Sequence, residues 1–573
     1  MTANDSHLLL RAFCDELARC GMRHACTSPG SRSAPLTLAL VREPRLRCWS
    51  HIDERCAGFF ALGVAKASGR PAAVTCTSGT AAAELAPAVH EACEARVPLV
   101  VLTADRPPEL RGVGAGQTID QIKLYGNAAK WFCEVGTHVV SPERLRWMRA
   151  LACRAYWTAL EGRPGVVHLN FALREPLVPG GALEEDDSGR AENAPFLARG
   201  PAPTDPRAAS EALGLMVSEA ARGVVVAGRL ERDPGAGRAV AEFAAAAGYP
   251  LLADPLSGAR RGPAAIAHYD ALLRDSSLTA ARPDLVIRVG DLPTSKPLRA
   301  WLTQLHGGDP GQRTRQVSLD PEAAWQDPDS VVEATIAAYP ATTLSALARA
   351  VSPGEPEWLG SWRAADGRAA EAIERTLGAE LSEPAVAAAL GARLPEQATL
   401  VVASSMPVRD VETFFPVRDD PPRVLANRGA NGIDGTVSCA FGAAAAGDGP
   451  VVVLLGDVAL AHDLGGLLAA SRLDLAVTIF VLNNDGGGIF HFLPVAGEGH
   501  VFEEHIATPH GLDFAHAAAL YGCGHRLIDQ PDELGEALDG ALVSPTTTIL
   551  EVRTDRAENL ALHRRVWAAV AGA

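Results

Sequence analysis

Two hydrophobic patterns alternate along the chain. Short, nearly continuous apolar runs occupy residues 72–77, 99–103, 166–169, 223–227, 285–289, 400–403, 451–455 and 477–482. Ala-rich stretches of helical length separate them. An apolar run bounded by Gly, Pro, Asn or Asp predicts a strand buried on both faces. Its alternation with helices predicts βαβ units and parallel sheets, an α/β fold.

Two stretches interrupt the pattern. The segment 176–206 holds six prolines and the acidic run Glu184–Glu185–Asp186–Asp187. It reads as a linker, centred on 181–205. A second break, Val351–Ser352–Pro353–Gly354–Glu355–Pro356, opens a shorter linker assigned to 351–375. A chain of 573 residues is too long for one core, and about three or four domains are expected. The breaks leave three parts, 1–180, 206–350 and 376–573. The first and third echo each other. A turn, a buried strand, a small-residue turn, a helix and a second strand occur at 69–105 and again at 447–483. Duplication of one domain type is the natural reading.

Composition narrows the function. Charged residues are 21% and hydrophobic ones 47%, as in folded globular proteins. The net charge of −16 argues against nucleic acid or an anionic membrane as a general partner, since both require a basic face. There is no run of eighteen apolar residues and no basic region before Leu8, so a soluble, cytoplasmic protein is expected. Of eleven cysteines, nine precede residue 154. Cys48 with His51, and Cys20 with His24, lack the second pair a zinc site needs, so reduced, buried thiols are expected.

The candidate chemistry lies at Gly456–Asp457 and Asn483–Asn484. Each pair ends a predicted buried strand. An Asp and an Asn at the ends of neighbouring parallel strands can hold one hard cation, and oxygen donors suit Mg²⁺. Gly456 lets backbone approach a phosphate, and the helix after it points its N-terminus there. A metal-bound diphosphate is the expected occupant.

Gly-Asp followed by Asn-Asn at this spacing resembles the thiamine diphosphate (ThDP) motif, with Val458 where Gly or Ala is usual. Further segments occur in one order: Ser28–Pro29–Gly30–Ser31–Arg32–Ser33, Asp53–Glu54–Arg55, Thr77–Ser78–Gly79–Thr80, Ala104–Asp105–Arg106–Pro107, Gln117–Thr118–Ile119–Asp120–Gln121, Thr294–Ser295–Lys296, Asn427–Arg428–Gly429–Ala430–Asn431–Gly432–Ile433–Asp434–Gly435 and Gly486–Gly487–Gly488–Ile489–Phe490. Together they resemble the 2-succinyl-5-enolpyruvyl-6-hydroxy-3-cyclohexene-1-carboxylate synthases, ThDP-dependent transferases of menaquinone biosynthesis.

The resemblance implies three α/β domains: pyrimidine-binding (1–180), central (206–350) and diphosphate-binding (376–573). It implies a homodimer or homotetramer with ThDP at the subunit interface. The implied reaction decarboxylates 2-oxoglutarate and adds the acyl anion equivalent 1,4 to isochorismate. By similarity Glu54 activates ThDP, and Asp457, Asn484 and the Gly486 carbonyl hold Mg²⁺ or Mn²⁺. Gly456, Ile433, Ile489 and Phe490 contact the cofactor. Ser405 and Arg409 face 2-oxoglutarate, Ser31, Arg32, Arg106, Gln117 and Lys296 face isochorismate, and Arg428 lies between. Arginine suits two dicarboxylate substrates because its planar fork pairs with a carboxylate through two hydrogen bonds. Ser404 stands where some relatives carry Asn, and Pro297 where some carry a second cation. The alternatives are an acetolactate-synthase-type ThDP enzyme, which would need fewer cations, and a non-catalytic ThDP-binding relative.

Overall fold

The computed structural model describes residues 3–199, 207–233, 235–274, 282–307 and 313–573. Its three sheets are wholly parallel. The first comprises β1 (His24–Thr27), β2 (Arg47–Ser50), β3 (Ala72–Cys76), β4 (Leu99–Asp105), β5 (Ala129–Glu134) and β6 (Val166–Ala172), in the spatial order β2-β1-β3-β4-β6-β5. The central sheet comprises β7 (Gly223–Ala227), β8 (Leu251–Ala253), β9 (Leu285–Val289), β10 (Arg315–Leu319) and β11 (Ala334–Ile336), in the order β11-β10-β9-β7-β8. The third comprises β12 (Thr399–Val402), β13 (Arg423–Ala426), β14 (Val451–Gly456), β15 (Thr478–Asn483), β16 (Gly524–Ile528) and β17 (Thr548–Arg553), in the order β13-β12-β14-β15-β17-β16.

Numbered from its own first strand, the third sheet repeats the first: both run 2-1-3-4-6-5. In each, the chain reverses direction between strands 1 and 3. Ligand sites of open α/β sheets form beyond the carboxyl ends of strands at such a point. Ser28–Gly30 and Thr77–Gly79 follow β1 and β3. Ser404–Ser405 follow β12, and Gly456 ends β14 with Asp457 directly after it.

The first and third domains pack through glycine. A Cβ on Gly63, in the helix Glu54–Ser68, would lie 1.9 Å from the Cys439 carbonyl of the helix Thr436–Ala446. One on Gly442 would lie 2.0 Å from the Phe60 carbonyl. Backbone therefore meets backbone where these helices cross. Around the crossing, Phe59, Phe60, Val437 and Phe441 join one apolar cluster spanning both domains.

The linker assigned to 351–375 is corrected. Residues Pro356–Leu377 form a helix. Trp358, Trp362, Ala365, Ala369, Ala372 and Ile373 recur at helical spacing and are buried in the core shared by the central and third domains. The prolines and glycine at 353–356 mark only the entry to that helix. The described part of 181–199 has no regular element beyond the turn Ala191–Asn193, and it is strapped to the first domain. Arg149 pairs with Asp186, and Glu16 accepts from the Phe196 backbone N–H. The remainder of that stretch lies outside the described residues.

Candidate active site

β14 and β15 are adjacent, with Gly456 opposite Leu482, so Asp457 and Asn484 emerge side by side. Both line a cavity of about 380 Å³ together with Ser405, Arg409, Arg428, Ile433, Gly456, Gly486, Ile489 and Phe490. Gly456 has an ordinary extended backbone. Nothing lies closer than 4.0 Å to where its Cβ would stand, so a side chain there would enter the cavity.

The donor set fits a hard cation. Asp457 is buried, and burial raises its carboxyl above the usual range, opposed by hydrogen bonds from the Gly486 and Val458 N–H groups. Asn484 Nδ2 donates to Glu383 at 2.8 Å, while its buried Oδ1 has no partner. An unsatisfied buried acceptor is costly unless a ligand meets it. The Gly486 carbonyl accepts from Gly488 N at 3.0 Å and retains a second lone pair. A carboxylate, an amide oxygen and a carbonyl suit Mg²⁺. His510 Nε2 lies 3.2 Å from Asp457 Oδ2, a neighbour the sequence did not mark.

Two guanidinium groups line the same cavity without a carboxylate within 4 Å among the described residues. Arg409 donates to the Ser405 carbonyl, and Arg428 to Ser404 Oγ at 3.2 Å. Burial lowers both below the usual guanidinium value. Ser405, with a positive φ of 78°, caps the helix Met406–Phe414 that carries Arg409. Next to this cavity is one of about 370 Å³, sharing Met406, Arg409, Ile489 and Phe490 with it and lined also by Lys296 and Trp567. The central domain's Lys296 thereby lines the same adjoining cavity as Arg409.

The first domain gathers a second group. Arg106 donates to Ser78 Oγ, and Gln117 Nε2 donates to the Ser78 carbonyl at 3.0 Å. Arg106 is lowered by burial and then by the nearby charge of Arg32. Arg32 is buried and held by the Leu173 carbonyl at 2.9 Å and Glu175 at 3.1 Å. Ser31 is exposed in the preceding turn. Glu54 opens its helix after the cap Asp53; burial raises its carboxyl, and Asp53 and Glu84 add to the effect.

Among the described residues, none of this second group lines the Asp457 cavity. Every residue lining the Asp457 cavity lies between Glu383 and Phe490. Sequence reasoning missed Glu383 because it occupies the first turn of the helix Glu383–Arg393, where an acid is ordinary. It also missed Glu91, whose carboxylate accepts from Gly429 N at 2.8 Å and Ala430 N at 2.7 Å and so anchors the loop bearing Arg428.

The paired sheets and the oxygen-lined strand ends define a thiamine pyrophosphate enzyme, and family models agree in order along the chain. The N-terminal TPP-binding domain matches residues 9–124, the middle domain 191–402 and the C-terminal TPP-binding domain 406–552. Relatives named 2-succinyl-5-enolpyruvyl-6-hydroxy-3-cyclohexene-1-carboxylate synthase match almost throughout. That of Geobacillus kaustophilus is 44% identical over 98% of this chain and 97% of its own. Those of Chloroflexus aurantiacus (98% and 96%) and Halobacterium salinarum (97% and 97%) are 43% and 42% identical. The chain belongs to this synthase family.

Proposed function

We propose that this protein decarboxylates 2-oxoglutarate and joins the remaining four-carbon unit to isochorismate by 1,4-addition, using ThDP and Mg²⁺. The observation that carries the proposal is the pair of guanidinium groups, Arg409 and Arg428, left without a carboxylate partner in the cavity that presents Asp457 and Asn484. A partly buried cation needs an anion, and a dicarboxylate substrate brings one. An acetolactate-type enzyme acting on monocarboxylates has less use for both.

Asp457, Asn484 and the Gly486 carbonyl would hold the metal, with Ile433, Ile489 and Phe490 forming apolar walls. Bound ThDP supplies the electron sink for the carbon left when CO₂ departs. Arg409 and Ser405 orient 2-oxoglutarate, Arg428 lies between the two substrates, and the walls exclude water. Ser31, Arg32, Arg106, Gln117 and Lys296 bind isochorismate. Glu54, its carboxyl raised by burial, holds a proton at the cofactor's pyrimidine nitrogen.

Glu54 does not line the Asp457 cavity of its own chain, so we assign it to the cavity of a second copy, in at least a homodimer. Ile52, Leu110, Val113, Ile119 and Ile122, in the segments that carry Glu54 and Gln117, are exposed and suit burial against that copy. Both substrates are small soluble acids, and we place the reaction in the cytoplasm. Purified protein given ThDP, Mg²⁺, isochorismate and equal 2-oxoglutarate and pyruvate tests the reading by product mass. The adduct retaining four carbons of 2-oxoglutarate is expected. A two-carbon adduct from pyruvate would support the acetolactate-type alternative, and no product would support a non-catalytic relative.

A further inference from the structure

Asn484 can present its amide two ways, and only one places an oxygen toward a cation. Its Nδ2 donates to Glu383 Oε1 at 2.8 Å, and Thr554 Oγ1 donates to the same oxygen at 2.9 Å. Glu383 is almost wholly buried and itself lines the cavity. Its helix is fixed at the start by Ser382, whose side chain accepts from Ala385 N. On the other side, a Cβ on Gly488 would stand 2.8 Å from Asn484 Nδ2, so the glycine leaves room for this rotamer. The result is a buried, unpartnered Oδ1 on a residue that lines one cavity with Asp457.

We infer that Glu383 is a positioning residue for the metal: it holds the Asn484 amide with its oxygen toward the cation and thereby sets the Mg²⁺ affinity of the cofactor site. The inference rests on Asp457, Asn484 and Gly486 being the metal donors. Glu383 Oε1 accepts from both Asn484 Nδ2 and Thr554 Oγ1, so it meets the NH₂ end of the amide and leaves the amide oxygen free. Groups that orient metal ligands in this way change metal affinity by about 10–100-fold when removed.

The test is calorimetric titration of ThDP into the whole protein at a series of Mg²⁺ concentrations. Glu383→Ala should raise the Mg²⁺ needed for half-maximal ThDP binding by about 10–100-fold. Asn484→Asp keeps an oxygen ligand but sets two carboxylates against each other, and it should also raise the requirement. Adding Glu383→Gln to Asn484→Asp should restore most of the loss, because the Gln NH₂ then donates to the Asp and frees its other oxygen. A merely structural role would lower stability without this reversal. An unchanged Mg²⁺ requirement in Glu383→Ala, or no recovery in the double variant, overturns the inference; the second comparison decides if Glu383→Ala does not fold. Wild-type ThDP binding that ignores Mg²⁺ would instead overturn the metal assignment beneath it.

Discussion

Ser78 and Gln117 hold each other through two hydrogen bonds, each 3.0 Å long. Ser78 Oγ donates to the Gln117 carbonyl, and Gln117 Nε2 donates to the Ser78 carbonyl. Arg106 in turn donates to Ser78 Oγ, so one hydroxyl fixes both the loop and the cation. Ser78→Ala leaves Arg106 without this anchor. A hydrogen bond to a charged group contributes about 1.5–3 kcal/mol, so KM for isochorismate should rise by about tenfold or more. Steady-state kinetics with each substrate varied should find KM for 2-oxoglutarate little changed.

The crossing of the helices Glu54–Ser68 and Thr436–Ala446 tolerates no side chain at Gly63. Gly63→Ala should destabilise the protein by about 1–3 kcal/mol or more through overpacking, read as a lower urea midpoint. Gly540 has open space around its Cβ position in the helix Glu533–Leu542. Gly540→Ala should leave that midpoint unchanged or raise it, since alanine is the better helix former.

Asp463 is fully buried between the same two helices. It accepts from Ser438 N at 2.7 Å and Ser438 Oγ at 2.9 Å, and Cys56 Sγ lies 3.7 Å away. Burial pushes its carboxyl up to about 6 from 3.8, despite the hydrogen bonds. The folded chain therefore holds this proton more tightly than the unfolded one. The stabilisation is full below pH 4 and is lost as pH rises through about 6. Asn cannot ionise, so Asp463→Asn should gain stability relative to wild type between pH 4 and 7. The gain should reach about 3 kcal/mol at most, since each tenfold difference in proton affinity between folded and unfolded chain is worth about 1.4 kcal/mol. Chemical denaturation of both proteins across that range measures it.

Glu54 and Asp457 of one chain serve different sites if a second copy completes each cavity. Glu54→Gln and Asp457→Asn should each be nearly inactive alone. Subunits of the two variants, mixed and allowed to exchange, should recover up to about one quarter of wild-type activity, because half the dimers then carry one intact site. No recovery after demonstrated exchange would assign both residues to the same site.

The strands leading to Asp457 and Asn484 were legible because each is a continuous apolar run ending in Gly456–Asp457 or Asn483–Asn484. The echo between first and third domains was legible for the same reason, and the matching strand order bears it out. Short strands were not. β1, His-Ala-Cys-Thr, and β16, Gly-His-Arg-Leu-Ile, acquire their pairing from neighbours rather than from their own composition. The helix Pro356–Leu377 was hidden behind the prolines that precede it. Glu383 was invisible for a different reason: its role depends on Asn484, 101 residues away, and sequence distance carries no trace of that contact.

Glu54 and the cation set together would make this protein a ThDP carboligase acting on 2-oxoglutarate. The most direct measurement is CO₂ release from 2-oxoglutarate by purified protein with ThDP and Mg²⁺, with and without isochorismate, alongside Glu54→Gln. Sustained release that requires isochorismate and disappears in the variant is expected. Release from pyruvate in preference to 2-oxoglutarate, or equal release by Glu54→Gln, would contradict this assignment.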